Sequence, residues 1–134
     1  MTDIILTRTL LTQEQMYGDL ADVGSSEPSI GLCYLGAVIR EKGFKVEIID
    51  ALALNMSCEE LAKNILKKAP KYLGISSVTI SIYDAGLLAR LIKENDKNIT
   101  IIVGGAHITA VPQETMDRFP EFDIGVLGEG EVTV

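Results

Sequence analysis

Short apolar runs and longer stretches of helical spacing alternate along the chain with near regularity. The runs at 2–6, 45–49, 72–76, 99–103 and 123–127 are rich in Ile, Val and Leu. Runs that are apolar on both faces suit strands of a parallel sheet covered by helices on each side. The helical stretches between them carry recognisable ends. Leu32, Leu35, Val38 and Ile39 form an apolar stripe, and Gly43 follows as a left-handed cap. Ser57 and Glu60 read as an S-x-x-E capping box ahead of Leu61, Ile65 and Leu66, with Pro70 closing the segment. Asp84 is the expected cap of a third helix with Leu87, Leu88, Leu91 and Ile92 on its apolar side. Pro112 suits the first turn of a short helix that ends near Phe119 and Pro120.

This order predicts an α/β chain. Right-handed crossovers turn it into a doubly wound, five-stranded parallel sheet, most simply the flavodoxin-like (Rossmann-like) strand order 2-1-3-4-5. Ligands in such sheets sit outside the carboxyl ends of the strands, where the strand order reverses. Those ends carry Ser76, Ser77 and Thr79 after the third strand, Gly104 and Gly105 after the fourth, and Gly128, Glu129 and Gly130 after the fifth. The connection at 7–29 is much longer than the usual two to six residues or so, and long connections often carry function.

Composition narrows the function classes. The chain has 134 residues, 47% of them hydrophobic and 5% aromatic, which fits one globular domain over 1–134 without a disulfide or structural metal. No run reaches the roughly 18 apolar residues of a membrane span, and no signal peptide opens the chain, so a cytoplasmic protein without a membrane partner is expected. The net charge of -7 and the lack of a basic cluster argue against nucleic acid. Cys33 and Cys58 stand far apart, with one histidine in the chain, so a local zinc or iron-sulfur site is not expected. Cys33 reads as a small buried hydrophobe within a helical stripe. Cys58 reads as structural, at a helix start that can lower a thiol pKa.

The glycine pair 104–105 either turns the chain tightly or lets a ligand approach the backbone. With Ser76, Ser77 and Gly128 beside it, the edge reads as a pocket for something large and flat, or for something with phosphate. His107 lacks partners for catalysis or metal binding and is expected to make a polar contact to a ligand or a loop hydrogen bond. Glu129 and Glu131 flank Gly130. In an extended segment they point to opposite faces, which makes joint acid-base work implausible and a pocket-edge or interdomain hydrogen bond the expected role.

The succession Pro28-Ser29-Ile30-Gly31-Leu32, Gly43-Phe44 with 46–50, Gly74-Ile75-Ser76, Gly104-Gly105-Ala106-His107 with Thr109 and Pro112, and Gly128-Glu129-Gly130-Glu131 spans nearly the whole chain. It resembles the N-terminal cobalamin-binding domain of radical S-adenosylmethionine enzymes, a group that includes the anaerobic magnesium-protoporphyrin monomethyl ester cyclase and cobalamin-dependent methylases. The G-G-x-H-x-T-x-x-P and G-E-G-E blocks are its most specific pieces. The resemblance implies cobalamin over the carboxyl edge, its nucleotide tail inserted among small residues near strands three to five, with Ser76, Ser77, Thr79, Gly104, Gly105, His107, Gly128, Glu129 and Gly130 as contacts and Pro28, Ile30 and Gly31 bordering the pocket. No catalytic residue and no protein metal ligand is expected. A Gly105→Leu substitution is expected to block binding while leaving the fold intact.

Two departures qualify what the resemblance implies. The D-x-H-x-x-G motif that supplies a lower cobalt ligand in methionine synthase and the mutases is absent, because no histidine precedes His107. The implied cobalamin is therefore base-off without a histidine ligand. The C-x-x-x-C-x-x-C cluster motif of the radical enzymes is also absent. The iron-sulfur cluster and S-adenosylmethionine are thus expected in a C-terminal radical domain of a longer parent chain, with this chain a module rather than a catalyst. A flavin mononucleotide carrier is a competing reading, for which Thr7-Arg8-Thr9-Leu10-Leu11-Thr12 is only a partial phosphate loop. A scaffold or dimerisation domain is another. A phosphorylated receiver fails, since Ser76 and Gly128 stand where its Asp and Lys belong.

Overall fold

A computed structural model describes residues 1–8, 19 and 29–133. The parallel sheet has the order β2-β1-β3-β4-β5, as expected. Its strands are β1 (Ile4–Arg8), β2 (Val46–Ile49), β3 (Tyr72–Ser76), β4 (Thr100–Gly104) and β5 (Ile124–Gly125). Helices α1 (Ile30–Glu41), α2 (Cys58–Lys68) and α3 (Ile82–Asn95) follow β1, β2 and β3 in turn. Two short helices, α4 (Ala106–Ala110) and α5 (Pro112–Arg118), link β4 to β5, and a last turn, α6 (Gly130–Thr133), follows β5.

Local chemistry explains several of these ends. Ser57 Oγ accepts from the Glu60 amide at 3.1 Å while Glu60 Oε2 accepts from the Ser57 amide at 2.9 Å, so the capping box is complete. Gly43 takes φ +91°, the left-handed conformation that closes α1. Pro112 opens α5, where its missing N–H has no intrahelical partner to lose.

Residue alternation along the strands divides the sheet into two unlike faces. Ile5, Leu73, Ile101 and Val103 are fully buried on one face, against Leu61 and Ile65 of α2, Leu88 and Ile92 of α3, and Ile108 of α4. The other face has a smaller core of Ile4, Leu6, Leu32 and Ile39, supplied by β1 and α1. There Ile48, Tyr72 and Ile124 remain 39%, 40% and 45% exposed.

Some expectations need correction. Asp84 does not cap α3. A 3-10 turn (Thr79–Ser81) runs directly into the helix, so Ser81 occupies the cap and Asp84 lies in the first turn, its carboxyl pKa raised by burial. Cys33 is exposed, because α1 buries Leu32, Gly36 and Ile39 and the adjacent position turns outward. Cys58 does stand first in α2, yet its thiol is pushed up to about 11, chiefly by burial and further by Glu59 and Asp84. Desolvation exceeds any helix-end effect there. The last strand is shorter than 123–127, since Asp123 Oδ2 accepts from the Ile101 amide at 2.7 Å and pairs with Lys93 at the same distance. Its side chain takes a position that a strand backbone would otherwise use. The segment around Gly130 is helical rather than extended, so alternation does not govern Glu129 and Glu131.

Candidate functional site

On the thinly covered face, sheet register arranges side chains in rungs. Leu6, Gly74 and Ile102 stand side by side, and one step towards the carboxyl edge stand Arg8, Ser76 and Gly104. Arg8 is occupied laterally. Its Nε and Nη2 donate to the Asp50 carboxylate at 3.0 and 2.8 Å across β2. The remaining positions floor an open groove of about 210 Å³ between the sheet, α1 and the start of α6.

Glycine makes the floor low. A Cβ added to Gly74 would stand 2.6 Å from Leu6 Cδ2, so the sheet has no room there for even a methyl group without displacing Leu6. The rim carries Gly31, Gly104, Gly105, Gly128 and Gly130, with Leu32, Leu35 and Val126 as apolar walls. Among the described residues no aromatic and no cationic side chain lines the groove, whereas Glu129 and Glu131 both do. Among those residues the phosphate expectation finds no cation, and they supply no aromatic wall of the kind a flavin ring would need. The surface suits an uncharged, largely apolar face with amide-like groups at its border.

The carboxyl-edge loops are tied together by the G-G-x-H-x-T block. Gly105 has φ +105°, and a Cβ on it would fall 2.4 Å from the Ser77 carbonyl oxygen and 2.9 Å from its nitrogen. The Gly104 carbonyl accepts from the Ser77 amide at 3.0 Å. Thr109 Oγ1 donates to the Gly105 carbonyl at 2.8 Å and accepts from the Gly128 amide at 3.1 Å, binding the loops after β4 and β5 to each other. His107 Nδ1 and Thr79 Oγ1 lie 3.2 Å apart, joining α4 to the turn after β3. Gly105→Leu is thus no probe of the groove alone. It strains the backbone and drives into the Ser77 backbone, contrary to the expectation of an intact fold.

Of the residues singled out by sequence, Gly31, Ser76, Gly104, Gly105, Gly128, Glu129 and Gly130 converge on the groove. Ser77 is buried beneath the rim, its hydroxyl 3.3 Å from that of Ser81 and 3.2 Å from the Val78 carbonyl. Thr79 and His107 hold each other outside the lining, Ile30 is 72% exposed on α1, and Pro28 lies outside the described residues. Sequence reasoning missed Leu6, Gly74 and Ile102 as the floor, whereas Glu131 lines the groove at the pocket edge where it was expected. The strand period marks the first three as one face, once the register is known. Among the described residues no group of acidic, histidine and cysteine side chains is placed to hold a metal ion, and no helix is long and apolar enough to cross a membrane.

A family model described as the B12 binding domain matches residues 18–134. An uncharacterized methyltransferase of Pyrococcus horikoshii is 40% identical over 111 residues, covering 83% of this chain and 24% of that protein. The anaerobic magnesium-protoporphyrin IX monomethyl ester cyclase of Rubrivivax gelatinosus is 26% identical over 125 residues, covering 92% of this chain and 22% of that protein. The solved structure of the cobalamin-dependent S-adenosylmethionine radical enzyme OxsB, with aqua-cobalamin and S-adenosylmethionine bound, shares the fold at a TM-score of 0.73 and 19% identity. That likeness covers 97% of this chain and 17% of the larger one. This chain thus spans a quarter or less of the length of these relatives.

Proposed function

The chain belongs to the B12-binding domain family, and from that premise we propose that its glycine-lined groove holds cobalamin, base-off and without a protein histidine on cobalt. The observation that carries this reading is the rung of Leu6, Gly74 and Ile102, a flat apolar floor at the carboxyl edge of the face that α1 only partly covers. The residues present fit the group. Missing Cβ atoms at Gly31, Gly104, Gly128 and Gly130 leave space for a bulky group, and an unpartnered carboxyl oxygen of Glu131 lies beside it. The only histidine, His107, is held against Thr79 outside the lining, consistent with a cobalt that takes no ligand from this chain.

At about 210 Å³ the groove is smaller than the roughly 300–1,000 Å³ that encloses a drug-sized ligand. A ligand as large as cobalamin would enter only in part, by its nucleotide tail, with the corrin over the mouth at the carboxyl edge. That leaves one side of the corrin for a second domain, which we place in the same parent chain, carrying the iron-sulfur cluster and S-adenosylmethionine. Methyl transfer and oxidative cyclisation are the reaction classes this arrangement would serve, in the cytoplasm; a methyltransferase and a cyclase are among its relatives. Bound cobalamin supplies the organometallic chemistry. The chain's own part would be to seat the nucleotide tail against Leu6 and Ile102, to leave room for it at the glycines, and, among the described residues, to keep charged side chains other than Glu129 and Glu131 out of the groove.

Absorbance titration with hydroxocobalamin tests the reading. A saturable change to a base-off spectrum is expected. Saturable binding that keeps the base-on spectrum overturns the coordination state, and no saturable binding overturns the site.

A further inference from the structure

One polar side chain shapes the groove without lining it. Thr109 lies in α4, exposed and outside the lining. Its hydroxyl is engaged both as donor, to the Gly105 carbonyl at 2.8 Å, and as acceptor, from the Gly128 amide at 3.1 Å. Both partners do belong to the lining, Gly105 from the end of β4 and Gly128 from the loop after β5. The two differ in how firmly they are held. Gly105 lies tightly against the Ser77 backbone, and the contact of His107 with Thr79 at 3.2 Å anchors α4 on the same side. The loop after β5 has no comparable support. Val126 still donates to the Val103 carbonyl at 2.8 Å, and α6 begins at Gly130, but Leu127, Gly128 and Glu129 between them are exposed. Gly128 takes φ +68°, and a Cβ there would meet nothing within 4 Å. Packing does not select that conformation, since a glycine in open space has many others within reach. The hydrogen bond to Thr109 does.

Resting on the cobalamin reading above, we propose that Thr109 is a positioning residue for the nucleotide tail: through Gly128 it holds the loop after β5 at the width that admits the tail, without touching the ligand itself. The loop is then ordered before the ligand arrives, and binding does not bear that cost. Water replaces an exposed hydrogen bond with little loss, so the tie adds little to stability and its removal is felt in affinity instead.

The test titrates hydroxocobalamin, and cobinamide as the corrin without its nucleotide, into the wild-type chain, Thr109→Val and Thr109→Ser, with a melting curve of each. Valine keeps the shape and the charge and removes both hydrogen bonds, whereas serine keeps the hydroxyl. Thr109→Val is expected to bind hydroxocobalamin about five- to tenfold more weakly than wild type while binding cobinamide equally well. Its Tm should stay within about 2 °C of wild type. Thr109→Ser should bring hydroxocobalamin affinity back to within about twofold. Equal hydroxocobalamin affinity in wild type and Thr109→Val overturns the proposal and leaves the cobalamin reading standing. A loss that serine does not restore overturns it too, because the hydroxyl is then not the cause, and so does a loss that cobinamide shares in full, because the tail is then not what the loop positions. A clear fall in the Tm of Thr109→Val identifies the tie as structural and likewise overturns the proposal. If the wild-type chain does not bind hydroxocobalamin, the cobalamin reading falls and the proposal with it.

Discussion

The two faces of the sheet are built from the same five strands and serve different ends. On the packed face Ile5, Leu73, Ile101 and Val103 are fully buried beneath α2, α3 and α4. On the opposite face their neighbours Leu6, Gly74 and Ile102 floor a groove, and Ile48, Tyr72 and Ile124 stay partly open. Large side chains fill the first face on β3 and β4, at Leu73, Ile75, Ile101 and Val103. The second places a glycine in the middle of its central rung, where a methyl group would already collide with Leu6. Packing density supplies stability, so a fold can leave one face underfilled for a ligand when the other is complete.

The strongest challenge to this comparison is a truncation on each face. Leu73→Ala on the packed face should cost about 2–5 kcal/mol by urea denaturation, because it empties a site with no exposed surface. A loss below 1 kcal/mol or so would mean that this face is not the main source of stability. Gly105→Ala comes next, at about 1–3 kcal/mol, from the left-handed backbone and the close Ser77 backbone. Its effect would sharpen the distinction between the loop ties and the groove floor. Gly31→Leu should change stability by well under 1 kcal/mol or so, since a Cβ there meets nothing within 4 Å.

The smallest effect concerns the two thiols. Folded Cys58 keeps its proton up to about 11, against an ordinary 9.0. The folded chain therefore binds more protons than the unfolded chain between those pH values, and stability falls as pH rises through that window, with no contribution below it. Iodoacetamide at pH 8 should label the exposed Cys33 first and Cys58 only on unfolding, as read by mass spectrometry. Equal labelling would show that the core under α2 opens readily.

Much of the architecture was legible because it rests on local signals. Strand runs gave the order of elements, and right-handed crossovers then left few topologies. The capping box at Ser57 and Glu60 and the glycine at 43 have side-chain or backbone requirements that sequence states directly. What was hidden depends on tertiary partners. Helix α4 begins after Gly105, whose lack of a side chain leaves no capping signal. Cys33 belongs to an apolar stretch, but the packing of Leu32, Gly36 and Ile39 decides which side of α1 is buried. The carboxyl-edge glycines were recognisable, yet the groove floor was not. Leu6, Gly74 and Ile102 lie far apart in sequence and meet only through register. Thr79 and His107 looked like ligand contacts, and the loops they join explain their polarity just as well.

The central claim is that the open face of the sheet is the cobalamin site. It is tested most directly by titrating hydroxocobalamin into the wild-type chain and into Gly31→Leu, with melting curves of both. Saturable binding by wild type, weakened about tenfold or more in a variant of equal Tm, is the predicted result. Equal affinity in the two equally stable chains would contradict the account.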